Sequence, residues 1–257
     1  MALSDHLREL RARIIRSVLV LLLAFLVTLY FYQDLYELVL RPYQNAVKQI
    51  DPGTKTEPVL NGVTSGLLFQ LKLCGLAAIV VSSPYWLYQI WAFIVPGLHP
   101  NERKWSRIFA GIAGPLFFLG VAVGYYVLPK AIAVLIGFTP KDVTNLVEFT
   151  EFFSFISRML LVFGIAFEIP LFVVMLNLAG VVSGRALGRY RPWIILGTFV
   201  FAAVATPSTD PFSMLFLAVP MLLLFLVAEV IARLVDRARG RGRDSTDQWA
   251  DDEVSPL

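Results

Sequence analysis

Six apolar stretches, each bounded by charge, constrain this 257-residue chain more tightly than any other feature. They span residues 14–32, 67–95, 108–128, 154–178, 192–205 and 211–232. With 57% hydrophobic residues and a mean hydropathy of +0.70, the chain reads as an integral membrane protein. Each stretch is expected to be helical, because lipid offers the backbone no hydrogen-bond partner. The first has 19 residues, about 28 Å at about 1.5 Å per residue, close to the roughly 30 Å of a hydrocarbon core. It is too long for a signal-peptide core and runs into Tyr30-Phe31-Tyr32-Gln33-Asp34 without a small-residue cleavage site. It therefore reads as a retained span with an aromatic belt.

Charge sets the orientation. Arg and Lys number 15 on the side that carries both termini and 5 on the other, with Lys72 and Arg158 left inside or at the edges of spans. Both termini are expected to be cytoplasmic. The opposite side carries eight acids, so a net charge of +3 conceals a strong asymmetry that reports topology and not nucleic-acid binding.

The expected fold class is therefore all-α: six transmembrane helices in one domain over residues 1–232. A cytoplasmic, solvated and disordered tail is expected over 233–257. The stretch 192–205 has 14 residues, and the apolar part of the last span, 212–228, has 17, about 21 and 26 Å against a core of about 30 Å. By contrast 67–95 is long and interrupted by Ser82-Ser83-Pro84, where a helix kinks. The bundle should be curved, with two short C-terminal spans. The external loop 33–66 should carry short structure of its own, with Pro42, Pro52-Gly53 and Pro58 as turn points.

Catalysis has little support. Cys74 is the only cysteine, which excludes disulfides and thiolate metal sites within one chain. His6 and His99 are the only histidines, and no metal-site, nucleophile-elbow or phosphate-loop motif is present. No cofactor and no metal are expected.

Polar groups inside the spans are few. Glu168 lies about 15 Å from the cytoplasmic end of its span, so its carboxyl should face a cavity, pair with a neighbouring helix or stay protonated. Lys72 and Arg158, near the external surface, are read as snorkelling, and Glu229 as the i,i+4 partner of Arg233. Residues 3–16 form an amphipathic helix on which Glu9 can pair with Arg13. Glu102 follows Asn101 at a helix start, where an acid also suits the positive end of the helix.

Four motifs then point to a family. They are His6-Leu7-Arg8-Glu9-Leu10-Arg11-Ala12-Arg13, Ser83-Pro84 leading through Tyr88-Gln89-Ile90-Trp91-Ala92-Phe93-Ile94-Val95-Pro96-Gly97-Leu98 to Glu102-Arg103, Phe163-Gly164 with Phe167-Glu168 and Pro170, and Thr206-Pro207 with Asp210. In this order and on these sides of the membrane they resemble the TatC family, the polytopic subunit of the twin-arginine protein translocase.

The resemblance implies a receptor in the bacterial cytoplasmic membrane for folded precursors whose signal peptides carry paired arginines. It would work with single-span partners of the TatA and TatB type, within a larger complex that includes further copies of itself, driven by the proton-motive force. The signal-peptide site would fall on Glu9, Glu102, Phe93 and Arg103, the intramembrane acid on Glu168, the external proline on Pro42 and the acid opening the last helix on Asp210. Met214 stands where the family often has glutamine, so partner contacts there would use packing. Carboxylates suit the assignment, since they hold guanidinium groups in a bidentate geometry that lysine cannot reproduce. The rival reading is a proton-coupled secondary transporter for small solutes with Glu168 as proton carrier. The missing internal repeat and the scarcity of midplane polar groups speak against it.

Overall fold

The computed structural model describes residues 3–50, 56–98, 103–140, 144–178, 180–205 and 211–238. The helices are α1 (Leu3–Tyr30), α2 (Tyr32–Val47), α3 (Ser65–Val81), α4 (Ser83–Leu98), α5 (Arg103–Gly137), α6 (Phe149–Phe167), α7 (Ile169–Leu178), α8 (Gly184–Arg189), α9 (Arg191–Ala205) and α10 (Pro211–Ala238). Two strands, β1 (Thr56–Val59) and β2 (Asn145–Glu148), pair in parallel with Thr56 opposite Asn145.

Among the described residues, four helical segments are long and apolar enough to cross a membrane: Leu7–Tyr30, Gly111–Gly137, Phe149–Leu178 and Met214–Ala238. The α3–α4 pair makes a fifth if it counts as one broken span, bent by 54°. Pro84 supplies no N–H at the bend. Ser82 Oγ donates to the Ala78 carbonyl at 2.6 Å, and the Trp86 indole to the Ile79 carbonyl at 3.0 Å, so backbone acceptors at the break are met by side chains. The remaining apolar helix, α9, has 15 residues, about 22 Å.

The core is built on α5 and α6, which pack through glycines. A Cβ on Gly120 would lie 2.5 Å from the Phe163 carbonyl oxygen, and one on Gly164 2.6 Å from the Phe117 ring. Only glycine allows this approach. Around the seam, Phe69, Phe149, Phe152 and Phe153 form an aromatic cluster reached by Tyr36 and Tyr43 of α2. By contrast α1 touches the rest along a narrow line: Thr28 Oγ1 donates to the Cys74 carbonyl at 3.0 Å, while Leu19, Leu22, Leu23 and Leu26 stay exposed. Such a face is at home in lipid or against another apolar helix.

Three features differ from the sequence reading. Pro42 is no turn point: it sits inside α2 and is fully buried, and Pro58 lies within β1. α10 does not end at residue 232 but runs to Ala238, because the polar residues that closed the apolar count find partners inside the protein. The fourth stretch breaks at Glu168, which separates α6 from α7. Pro170 removes a helix donor, while Ile169 before it is already the first residue of α7. The tail expected over 233–257 lies outside the described residues from 239 onward.

Candidate functional site

The amphipathic start of α1 places Glu9 and Arg13 one turn apart on one face. Arg13 donates from Nε and Nη2 to Glu9 Oε1 at 3.0 and 2.6 Å, and from Nη1 to Gln89 Oε1 of α4 at 3.0 Å. Both bonds from Arg13 to the acid fall on Oε1, so Oε2 takes none from this arginine. The Glu9 side chain is 45% exposed, against 20% for Arg13. The arrangement is a fixed carboxylate open to solvent, held beside α4 through a guanidinium that is itself anchored on a buried glutamine.

Phe93 follows Gln89 by one helical turn on α4 and is half-buried. Between them Trp91 is buried and stacked on Phe109 of α5 at 6.1 Å. This packing gives the Gln89–Phe93 face of α4 a rigid backing. Arg103 opens α5. Glu102 and Asp210 lie outside the described residues.

At the α6–α7 break, both carboxylate oxygens of Glu168 are buried without a hydrogen bond. The Trp91 side chain is its polar neighbour, yet meets neither oxygen in hydrogen-bonding geometry. A buried carboxyl left in this state is costly, and intramembrane acids of this kind mark functional positions. Met214, on α10, is half-buried against the main core. Pro42 lies in the stretch of α2 that packs on α5, where the Tyr125 hydroxyl donates to the Leu38 carbonyl at 2.8 Å.

A second polar centre escaped the sequence reading. Arg191, at the start of α9, donates from Nε and Nη2 to the two oxygens of Glu229 at 2.7 Å each, and Arg233 adds a 2.6 Å contact. The expected Glu229–Arg233 helix pair is present, but the acid is 1% exposed and Arg191 grips it as a fork. Nearby, Asp236 accepts from Asn177 Nδ2 at 2.7 Å and from the Gly184 amide at 2.6 Å. Together these bonds bind the ends of α7, α8, α9 and α10 into one corner. Only the i,i+4 spacing of Glu229 and Arg233 was a local signal.

This apolar helical bundle, with an exposed carboxylate near the start of its first helix and one without a hydrogen bond at the α6–α7 junction, defines an all-α, multi-pass membrane protein. Residues 5–220 match the family model described as Sec-independent protein translocase protein (TatC). The TatC protein of Frankia casuarinae is 41% identical over 266 residues, covering 100% of this chain and 73% of that protein. The TatC protein of Escherichia coli K12 is 32% identical over 243 residues, covering 94% and 92%. A crystal structure described as the twin arginine translocase receptor TatC superposes with a TM-score of 0.77 at 30% identity, covering 90% of this chain and 100% of the other. The chain therefore belongs to the TatC family of Sec-independent protein translocase subunits.

Proposed function

We propose that this protein is the receptor subunit that captures twin-arginine signal peptides and, with TatA- and TatB-type single-span partners, supports export of folded proteins driven by the proton-motive force. The observation that carries the reading is the Glu9 carboxylate, exposed, fixed against α4 and taking Arg13 on one oxygen alone. An incoming guanidinium finds the second oxygen, and Glu102 is proposed to hold the other arginine of the pair. Phe93 and Arg103 are proposed to flank the same surface, the aromatic contacting the peptide and Arg103 orienting the acids.

The working topology is six spans within residues 1–238 of the cytoplasmic membrane, both termini cytoplasmic, in assemblies that contain further copies of the chain. Glu168, Met214 and Asp210 are proposed to face partner helices, with the Glu168 carboxyl, buried and without a hydrogen-bond partner among the described residues, turning outward to meet a polar group there. Pro42 is proposed to stiffen the external cap formed by α2. The work is transport, with no chemical step for a catalytic residue and no cofactor. The proton-coupled solute carrier is disfavoured, since the family shown is a protein translocase.

The test is photo-crosslinking from positions flanking Glu9 and Glu102, with both acids kept, to a twin-arginine peptide and to its lysine-pair variant. Crosslinks to the arginine peptide that vanish with lysine support the site. Equal crosslinking of both peptides, or of neither, overturns it.

A further inference from the structure

A cavity of about 630 Å³ lies at the end of the bundle where β2 runs into α6. That volume falls within the roughly 300–1,000 Å³ of small-molecule sites. Its apolar wall includes Ile132 and Ile136 of α5 and Phe155 of α6, all buried. Its charged lining is Glu148, Glu151 and Arg158.

Arg158 is the unusual member. It lies four residues into the apolar stretch 154–178, about 6 Å along the helix, where an arginine needs a counter-charge or access to water. It is exposed and makes no hydrogen bond or ion pair among the described residues. Helical side chains lean toward the N-terminus of their helix, so its guanidinium rises along the face that carries Ser154 and Glu151, four and seven residues earlier. One face of the cavity thus holds a cation below and carboxylates above, separated by about two helical turns, beside an apolar wall.

We propose that this cavity binds an aminophospholipid, with its phosphate on Arg158, its ammonium on Glu148 and Glu151, and an acyl chain along Ile132, Ile136 and Phe155. Charge complementarity selects the headgroup. An anionic lipid would satisfy Arg158 but meet two carboxylates, whereas a primary ammonium offers them three N–H donors. A choline headgroup carries the same charges without those donors. Assignment to the external leaflet rests on the orientation proposed above; binding to purified protein does not.

Native mass spectrometry of the delipidated full chain, with phosphatidylethanolamine, phosphatidylglycerol, phosphatidylcholine or soluble glycerophosphoethanolamine added singly, tests the site. The expected result is retention of phosphatidylethanolamine at least several-fold above the other three. Retention should be lost in Arg158→Gln, and the preference over phosphatidylglycerol should fall to parity in Glu148→Gln/Glu151→Gln. Equal retention of the ethanolamine and glycerol lipids, or of the ethanolamine and choline lipids, by the unmodified protein overturns the proposal without any variant. So does undiminished retention by a folded Arg158→Gln protein, or equal retention of the soluble headgroup.

Discussion

Replacing Glu9 with Gln keeps the shape of the side chain and removes its charge, which isolates the electrostatic part of peptide capture. In the free protein Glu9 is engaged by Arg13 at 2.6 Å, but the acid is 45% exposed and the pair is an i,i+4 contact. Such pairs contribute only about 0.3–0.5 kcal/mol, and Arg13 occupies Oε1 alone, so the acid keeps most of its capacity for a second guanidinium. A peptide guanidinium held by charge-assisted bonds contributes about 1–3 kcal/mol. Glu9→Gln should therefore weaken binding of a labelled twin-arginine peptide roughly 5- to 150-fold. Arg13→Gln removes only this weak pair and keeps the acid, so binding should change by no more than about twofold, the equivalent of about 0.4 kcal/mol. Fluorescence anisotropy with purified protein in nanodiscs reads both. Binding by Glu9→Gln within twofold of the unmodified protein refutes the reasoning, as does a greater loss from Arg13→Gln than from Glu9→Gln.

The α7–α10 corner predicts an asymmetry: Glu229→Gln should cost about 1–3 kcal/mol, because Arg191 and Arg233 are half-exposed and regain water. Arg191→Ala with Arg233→Ala should cost about 3–5 kcal/mol by stranding a buried carboxylate, giving the lower thermal midpoint in detergent. At Glu168, Gln should preserve more partner assembly than Ala, because the residue is proposed to accept a hydrogen bond from outside the chain; co-purification of the single-span partners measures this, and full assembly by both variants removes the role. Inserting three or four leucines after Ile195 lengthens α9 from about 22 Å to roughly 27 Å. Partner crosslinking should fall while peptide binding is kept, and unchanged crosslinking makes the short helix incidental.

Hydropathy located the apolar helices, four or five of them able to cross a membrane among the described residues, because lipid imposes one backbone solution on every apolar run, and the kink at Pro84 was legible for the same local reason. The break at Glu168 was announced by Pro170, but apolar counting runs straight through it. Long-range partners left no such trace. Arg13 and Gln89 are 76 residues apart, and Arg191 and Glu229 are 38 apart. β1 and β2 have four residues each, too short for a period to show, and depend on a pairing across the chain from Thr56 to Asn145. The candidate site was legible only in part. Glu9 and Phe93 were named by the resemblance to the TatC family, whereas the role of Gln89 in fixing Arg13, and through it Glu9, emerges only from the packing of α1 against α4.

The central claim is selection of folded, twin-arginine cargo. In cells in which this chain replaces the resident TatC alongside compatible partners, a fluorescent reporter that folds only before export can carry either paired arginines or paired lysines, and its fluorescence outside the cytoplasmic membrane can be measured. The account predicts external fluorescence with the arginine signal, and its loss both with the lysine signal and in Glu9→Gln. Equal external fluorescence with both signals, or with Glu9→Gln and the unmodified chain alike, would contradict it.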